Sequence, residues 1–90
     1  MNDEKRLGFI GIVIDCRDCI DEVNRILSKY GNLIRGRIGI PNHSNGTAVI
    51  GLIIEGSNNE IGAFTGKLGN LPNIIVKCAL VPSKNKELKE

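Results

Sequence analysis

The sequence predicts one α+β domain in which a four-stranded antiparallel sheet carries two helices on one face. Residues 7–40 and residues 47–81 each hold an apolar run, a segment with apolar residues at helical spacing, and a second apolar run. The Asn45-Gly46 pair between the two halves suits the positive φ of a hairpin turn. Two strand-helix-strand units in tandem are the split βαβ plan of ferredoxin-like domains, with the element order βαββαβ.

The first half is predicted to run from a buried strand into a helix. Residues 7–15 are a near-continuous apolar run, which is typical of a strand buried on both faces. Asp18 is suited to cap the helix that follows, and Gly31 is suited to end it. The apolar positions with helical spacing are Ile20, Val23, Ile26, Leu27 and Tyr30.

The second strand is predicted over residues 33–40 from its alternation. The alternation places Ile34, Ile38 and Ile40 on one face of the sheet. It places Arg35 and Arg37 on the opposite face. A loop over residues 41–46 leads to the third strand.

The second half repeats the pattern of the first. Ser57 followed three residues later by Glu60 predicts a capping box at the start of the second helix. Pro72 is expected to end that helix, and residues 74–81 are the predicted fourth strand. The apolar stripe of the helix consists of Ile61, Phe64, Leu68 and Leu71.

Length and charge limit the possible functions. The 90 residues suffice for one domain, predicted over residues 1–82, with a disordered polar tail over residues 83–90. A net charge of +2 without a concentrated basic face argues against direct DNA binding. The sequence contains neither the apolar run of a secretory signal nor a stretch long enough to span a membrane. We therefore expect a cytoplasmic protein whose three cysteines remain thiols.

The third strand, predicted over residues 47–55, is apolar on both faces. One face is expected to pack under the helices, and the other exposes side chains such as Val49 and Ile53. A few hundred Å² of aliphatic surface is rarely left in water by a monomer. We therefore predict a homo-oligomer, a dimer or a tetramer, that assembles through this face of the sheet.

The candidates for metal binding or thiol chemistry are Cys16, Cys19, Cys78 and His43. Cys16 and Cys19 lie where a strand leads into a helix, a position that lowers a thiol's pKa. A structural metal site requires about four ligands, and Cys78 is expected opposite Ile10, too far from Cys16 to share an ion. We therefore predict no metal and no cofactor, with a redox or metal-linked Cys16/Cys19 pair as the alternative. The single histidine, His43, lies in the predicted hairpin loop.

Glycines recur along the second predicted helix at Gly62, Gly66 and Gly69. Each interior glycine costs a helix about 1 kcal/mol relative to alanine, so a close backbone approach is the expected reason for them. The approaching group is either the sheet of the same subunit, or a neighbouring subunit or bound ligand. Lys67 and Arg37 can supply positive charge to an anionic effector. No nucleophile, base or phosphate-binding loop is evident, so we predict that the protein is not an enzyme.

Several segments resemble the family of iron-only hydrogenase system regulators. They are residues 37–41 (RIGIP), 48–56 (AVIGLIIEG), 61–69 (IGAFTGKLG) and 76–77 (VK). That family is similar to ACT domains and to the metal-sensing domain of nickel-responsive repressors. The resemblance implies a ferredoxin-like subunit that assembles through its sheet, with a tetramer as one expected form, and binds effectors at subunit interfaces. The chain has no ribbon-helix-helix segment before Leu7, and its middle strands lack the nickel ligands of those repressors.

The leading hypothesis is a regulatory module that acts as a homo-oligomer and binds an unknown small effector, with a further protein partner in hydrogenase expression or maturation. The candidate effector-binding residues are Arg37, Gly39, Pro41, His43, Gly62, Gly66 and Lys67. The alternatives are a thiol-based redox or metal sensor using Cys16 and Cys19, and a purely structural assembly subunit.

Overall fold

The computed structural model describes residues 4–40 and 46–82. The strands are β1 (Arg6–Ile14), β2 (Ile34–Ile40), β3 (Ala48–Gly56) and β4 (Ile74–Leu80). The helices are α1 (Ile20–Lys29) and α2 (Asn58–Gly69), and short 3₁₀ turns occupy Arg17–Cys19 and Gly31–Leu33. The predicted tail over residues 83–90 lies outside the described residues.

The four strands form one antiparallel sheet in the order β2-β3-β1-β4. This order, with the two helices between the strands of each half, confirms the predicted ferredoxin-like α+β fold. Gly11 in the middle of β1 lies opposite Gly51 of β3 on one side and Lys77 of β4 on the other. The predicted pairing of Cys78 with Ile10 is also confirmed.

A bulge in β2 corrects the predicted alternation of that strand. Ile34 pairs with Ile54, whereas Gly36 pairs with Ile53, so Arg35 is an extra residue between two paired positions. The bulge shifts the side-chain parity by one, so Ile34 shares its face with Arg37 rather than with Ile38. The sequence predicts Arg35 and Arg37 on the same face of the sheet. In the structure they lie on opposite faces, and Arg35 Nε donates to Glu55 Oε1 at 3.2 Å.

The prediction that Asp18 caps α1 is wrong by one residue. Asp18 lies inside the 3₁₀ turn, and the residue that caps α1 is Cys19, whose side chain makes no capping hydrogen bond. Helix α1 ends at Lys29, so Gly31 begins a second 3₁₀ turn rather than ending the helix. The first turn of α1 still carries favourable negative charge from Asp21 and Glu22.

The capping box at the start of α2 is confirmed. The Glu60 backbone N–H donates to Ser57 Oγ at 3.1 Å, and the Ser57 N–H donates to Glu60 Oε1 at 2.9 Å. Gly46 has the positive φ of 86° that the hairpin turn requires. Helix α2 ends at Gly69, before Pro72, and Asn73 with φ 62° turns the chain into β4.

The hydrophobic core lies between the helices and one face of the sheet. Alternate residues of β1 and β3 supply the sheet side, and both predicted helical stripes supply the other. Phe64 is fully buried, and its ring stacks on Tyr30 with centroids 4.9 Å apart. Within residues 4–40 and 46–82, neither helix has the length and apolar character needed to cross a bilayer.

Candidate functional site

The sheet face that α1 and α2 leave uncovered is called the open face. In the described parts of the chain, eight large apolar residues are exposed, and the strand registers place seven of them on this face. The eighth, Val81, follows β4 and lines a cavity there with Leu7 and Phe9. Ile38 is 76% exposed, the most of the eight. The residues are Leu7, Phe9, Ile38, Ile40, Val49, Ile53, Ile75 and Val81.

A row of residues with a gap in its middle crosses the open face. In order from β2 to β4, the row consists of Ile38, Gly51, Gly11 and Lys77, each paired with the next across the strands. The two glycines place no side chain on the face, so the middle of the sheet has a depression there. The ring of Phe9 leans over it, because a Cβ on Gly51 would lie 3.0 Å from the ring and one on Gly11 3.5 Å away.

The depression is part of a cavity of about 520 Å³. Its lining is apolar apart from Lys77, and Phe9 forms the wall between it and a second cavity of about 380 Å³ near Leu7. A cavity of this size and lining falls within the range of small-molecule sites in proteins.

Two of the candidate effector-binding residues lie on β2. The Arg37 guanidinium donates from Nη2 to Asn24 Oδ1 of α1 at 3.0 Å, so its side chain lies on the helix side of the sheet. Gly39 lines the cavity of the open face. A Cβ on Gly39 would lie 2.7 Å from the Val49 carbonyl oxygen, so the close approach of β3 requires glycine at this position.

The three candidates on α2 are exposed to solvent. Gly62 and Gly66 have no atom within 4 Å of a Cβ built on them, and the same holds for Gly69. Close packing of α2 on the subunit's own sheet is therefore the wrong explanation for these glycines. A neighbouring subunit or a ligand stays the predicted reason, and Lys67 is exposed in the same turn of the helix as Gly66.

Within one chain, the candidate residues do not form a single cluster. Arg37 contacts α1, whereas Gly62, Gly66 and Lys67 lie on α2, which packs mainly over β4. Pro41 and His43 lie outside the described residues. An effector site made from all of them would need surfaces of more than one copy.

The prediction that all three cysteines are thiols is wrong for two of them, because Cys16 and Cys19 are joined in a disulfide. The pair bridges the end of β1 and the start of α1, and Cys19 Sγ lies 4.0 Å from the Pro72 carbonyl oxygen. Cys78 is a free, exposed thiol. Desolvation raises the pKa of Cys78, and the nearby Arg6 guanidinium opposes part of that rise.

The fold is that of a small ferredoxin-like α+β domain with one apolar sheet face exposed. Residues 6–78 match the TM1266-like family, described as "Iron-only hydrogenase system regulator, putative", and the chain belongs to it. The protein TM1266 from Thermotoga maritima is 32% identical, with a TM-score of 0.81 over 88% of this chain and 100% of that one. No curated protein sequence matches significantly.

More distant solved structures share the fold alone. Full-length HypF matches over 93% of this chain and 11% of its own, with 23% identity and a TM-score of 0.53. The apo form of CPII, a nitrogen regulatory PII-like protein from Thiomonas intermedia, matches over 89% of this chain and 97% of its own, with 13% identity and a TM-score of 0.51.

Proposed function

We propose that this chain is a non-enzymatic regulatory module that acts as a homo-oligomer, assembled through its open face, and binds a small effector where copies meet. The regulated system is hydrogenase expression or maturation, through a protein partner. Membership of the regulator family supports the regulatory role. The observation that carries the assembly is the concentration of exposed large apolar residues on one side of the described chain.

The size of the open face supports a second copy as its cover. Its large apolar side chains and Val81, most of them about half exposed, present roughly 800 Å², which equals the area that each partner contributes to a standard interface. The largest apolar patch on a typical monomer is only about 300 to 600 Å². A twofold arrangement places the same patch on both sides of the interface, so an apolar face on one copy is matched by an apolar face on the other.

Effector binding is proposed at the seams because the candidate residues are spread over separate surfaces of the chain. The exposed glycines of α2 allow a neighbouring backbone or a ligand to approach closely, and Lys67 places a positive charge beside them. Arg37 and Gly39 contribute from β2, and the proposal also includes Pro41 and His43, which lie outside the described residues. An effector that contacts two copies shifts the equilibrium between subunit arrangements only by its difference in affinity for them.

A thermal-shift screen tests effector binding. We expect one class among amino acids, nucleotides and divalent metals to raise the melting temperature, by about 10 °C when its concentration is a hundred times the dissociation constant. If the effector is anionic, Lys67→Gln should reduce the shift, whereas the control Lys29→Gln on α1 should not. The proposal of an effector site is contradicted if no member of any class changes the melting temperature.

The disulfide favours a second candidate function, a thiol-based redox sensor. Oxidation of the Cys16 and Cys19 thiols forms their S–S bond and releases two protons and two electrons, which a disulfide such as oxidised glutathione accepts by exchange. Because the pair bridges β1 and α1 beside Pro72, its reduction would loosen the contact between α1 and the α2–β4 connection.

Thiol counting on purified protein tests this second candidate. The sensor predicts that oxidised glutathione removes two of three reactive thiols and changes the melting temperature or the assembly state. Cys78→Ser should preserve the response, and Cys19→Ser should abolish it. Ordinary thiol pKa values for Cys16 and Cys19, together with no bound metal and no response to oxidation, would rule the sensor out.

A further inference from the structure

The depression in the middle of the open face is a consequence of strand register. Gly11 and Gly51 face each other on adjacent central strands, and on either side of them the row ends in Ile38 and Lys77. The next row along the strands carries four β-branched residues, Ile40, Val49, Val13 and Ile75, in the same order. A groove with a glycine floor therefore runs across the strands, between that row and the ring of Phe9.

Glycine at both floor positions requires a reason, because glycine in the interior of a strand lowers its stability. At Gly8 and Gly39 the reason is steric, since a Cβ would lie 2.8 Å and 2.7 Å from a backbone carbonyl oxygen. At Gly51 the reason is the Phe9 ring, since a Cβ would lie 3.0 Å from it. At Gly11 no backbone is close: a Cβ would meet only the Phe9 ring, at the ordinary contact distance of 3.5 Å. Packing within the described chain therefore does not require a glycine at Gly11. The space above Gly11 is open to an atom of another molecule.

Lys77 is the only charged residue among the described residues that line the groove. An ion pair at 3.2 Å joins two further charged residues of the open face, Arg35 and Glu55, to each other. An ammonium group at the end of an apolar groove recognises an acid, because a carboxylate satisfies its charge and its hydrogen-bond donors together. If a second copy also covers the open face, the Lys77 ammonium would lose its hydration. Without an anionic partner, no hydrogen bond or charge would replace that hydration.

We propose that this groove is a ligand site for a small linear aliphatic acid, with the carboxylate on Lys77 and the hydrocarbon chain lying over Gly11 and along the Phe9 ring toward Ile38. The cavity volume of about 520 Å³ accommodates such a molecule. The groove spans three interstrand spacings, roughly 14 Å, which matches an extended chain of about eight to ten carbons. The site is distinct from the effector residues on α2.

The groove is present in a single chain, so ligand binding can be separated from the proposed assembly. Calorimetric titration with octanoate, 1-octanol and octylammonium, all below their aggregation limits, compares three head groups on one hydrocarbon chain. Octanoate should bind at least about tenfold more tightly than octanol, with octylammonium the weakest, because only the carboxylate forms a charge-assisted hydrogen bond with Lys77.

Two variants separate the contributions of the head group and the floor. Lys77→Met should remove the preference for octanoate over octanol and leave binding of octanol in place. Gly11→Val should weaken binding of both, because its side chain fills the groove, while a β-branched residue suits the strand. Circular dichroism checks the folding of Gly11→Val, and Gly11→Ala gives a smaller change that tests the same point. The matched control Lys29→Met, exposed on α1, should bind like the unmodified chain.

The result that would overturn the proposal is an unmodified chain that does not bind octanoate. A preference for octanoate that survives Lys77→Met, or unchanged binding in folded Gly11→Val, would overturn it equally. Sedimentation of the same samples without ligand reports the assembly state separately. A single chain that binds octanoate supports this site and contradicts the assembly, whereas an oligomer that binds none of the three probes contradicts this site alone.

Discussion

Replacing Ile38 with glutamate is expected to dissociate the assembled protein into single, folded chains. Ile38 is the most exposed large apolar residue of the open face in the described chain, so a single subunit should tolerate the charge. In an interface, the same carboxylate would be buried without a partner, at a cost of about 3 kcal/mol or more. The dissociation constant should therefore rise more than a hundredfold. Sedimentation velocity over a range of protein concentrations measures this change.

The matched control for this prediction is Asn59→Glu. Asn59 is exposed on α2, on the opposite side of the sheet, so it adds the same charge away from the open face. Its assembly should match that of the unmodified chain. If Ile38→Glu sediments as the same oligomer as Asn59→Glu, the open face is not the interface.

Replacing Phe64 with alanine is expected to cause the largest loss of folding stability. Phe64 is fully buried between α2 and the sheet, and its ring stacks on Tyr30. Removal of the ring leaves a cavity in the core and should lower the free energy of unfolding by about 3 to 5 kcal/mol. For a domain of this size, the melting temperature should fall by roughly 15 °C or more. Urea unfolding monitored by circular dichroism measures the loss.

Tyr30→Phe is the control for the ring contact. It keeps an aromatic ring on Phe64 and removes only the hydroxyl group, so the free energy of unfolding should change by less than about 1 kcal/mol. A loss from Phe64→Ala no greater than the loss from Tyr30→Phe would mean that Phe64 does not anchor the core. Because unfolding is linked to dissociation in an oligomer, both variants should be compared at one protein concentration.

The fold could be predicted because apolar periodicity in this chain is strong and local. The change from a near-continuous apolar run to helical spacing after β1, and again after β3, is visible in the sequence. The capping box at Ser57 is equally local, since it depends on residues three positions apart. The exposed side of β3, with Val49 and Ile53, also follows from strand parity alone.

The register between β3 and its two neighbours was not predicted, unlike the pairing of Cys78 with Ile10. The bulge at Arg35 is a property of the register between β2 and β3, and nothing in the local alternation marks it. The groove needs Gly11 to lie opposite Gly51, residues 40 positions apart in the chain, and the sequence shows two strand glycines without showing that they meet. The predicted pairing of Cys78 with Ile10 also places Lys77 opposite Gly11, but the row could not be recognised without the pairing of Gly11 with Gly51.

The cysteine prediction failed on a different ground. The spacing of Cys16 and Cys19 was recognised, but their state was inferred from the expected compartment rather than from the local backbone. The 3₁₀ turn over Arg17–Cys19 brings their Cα atoms to 5.2 Å, a separation that a disulfide can span. The start of α1 was misplaced in the same segment, because Asp18 suits a helix cap as well as a tight turn.

The sequence shows which candidate effector residues carry charge and which are glycines. It does not show which of them lie close together in space. The structure places Arg37 against α1 and leaves Gly66 and Lys67 on the outer side of α2. Whether these surfaces meet depends on how copies pack, so the proposed effector site depends on the proposed assembly.

Sedimentation equilibrium of the unmodified chain, from low micromolar to millimolar concentration, tests the central claim most directly. The account predicts a dimer or tetramer through most of this range, because about half of each large apolar side chain on the open face is uncovered in one copy. A well-folded single chain at the highest concentration would contradict it.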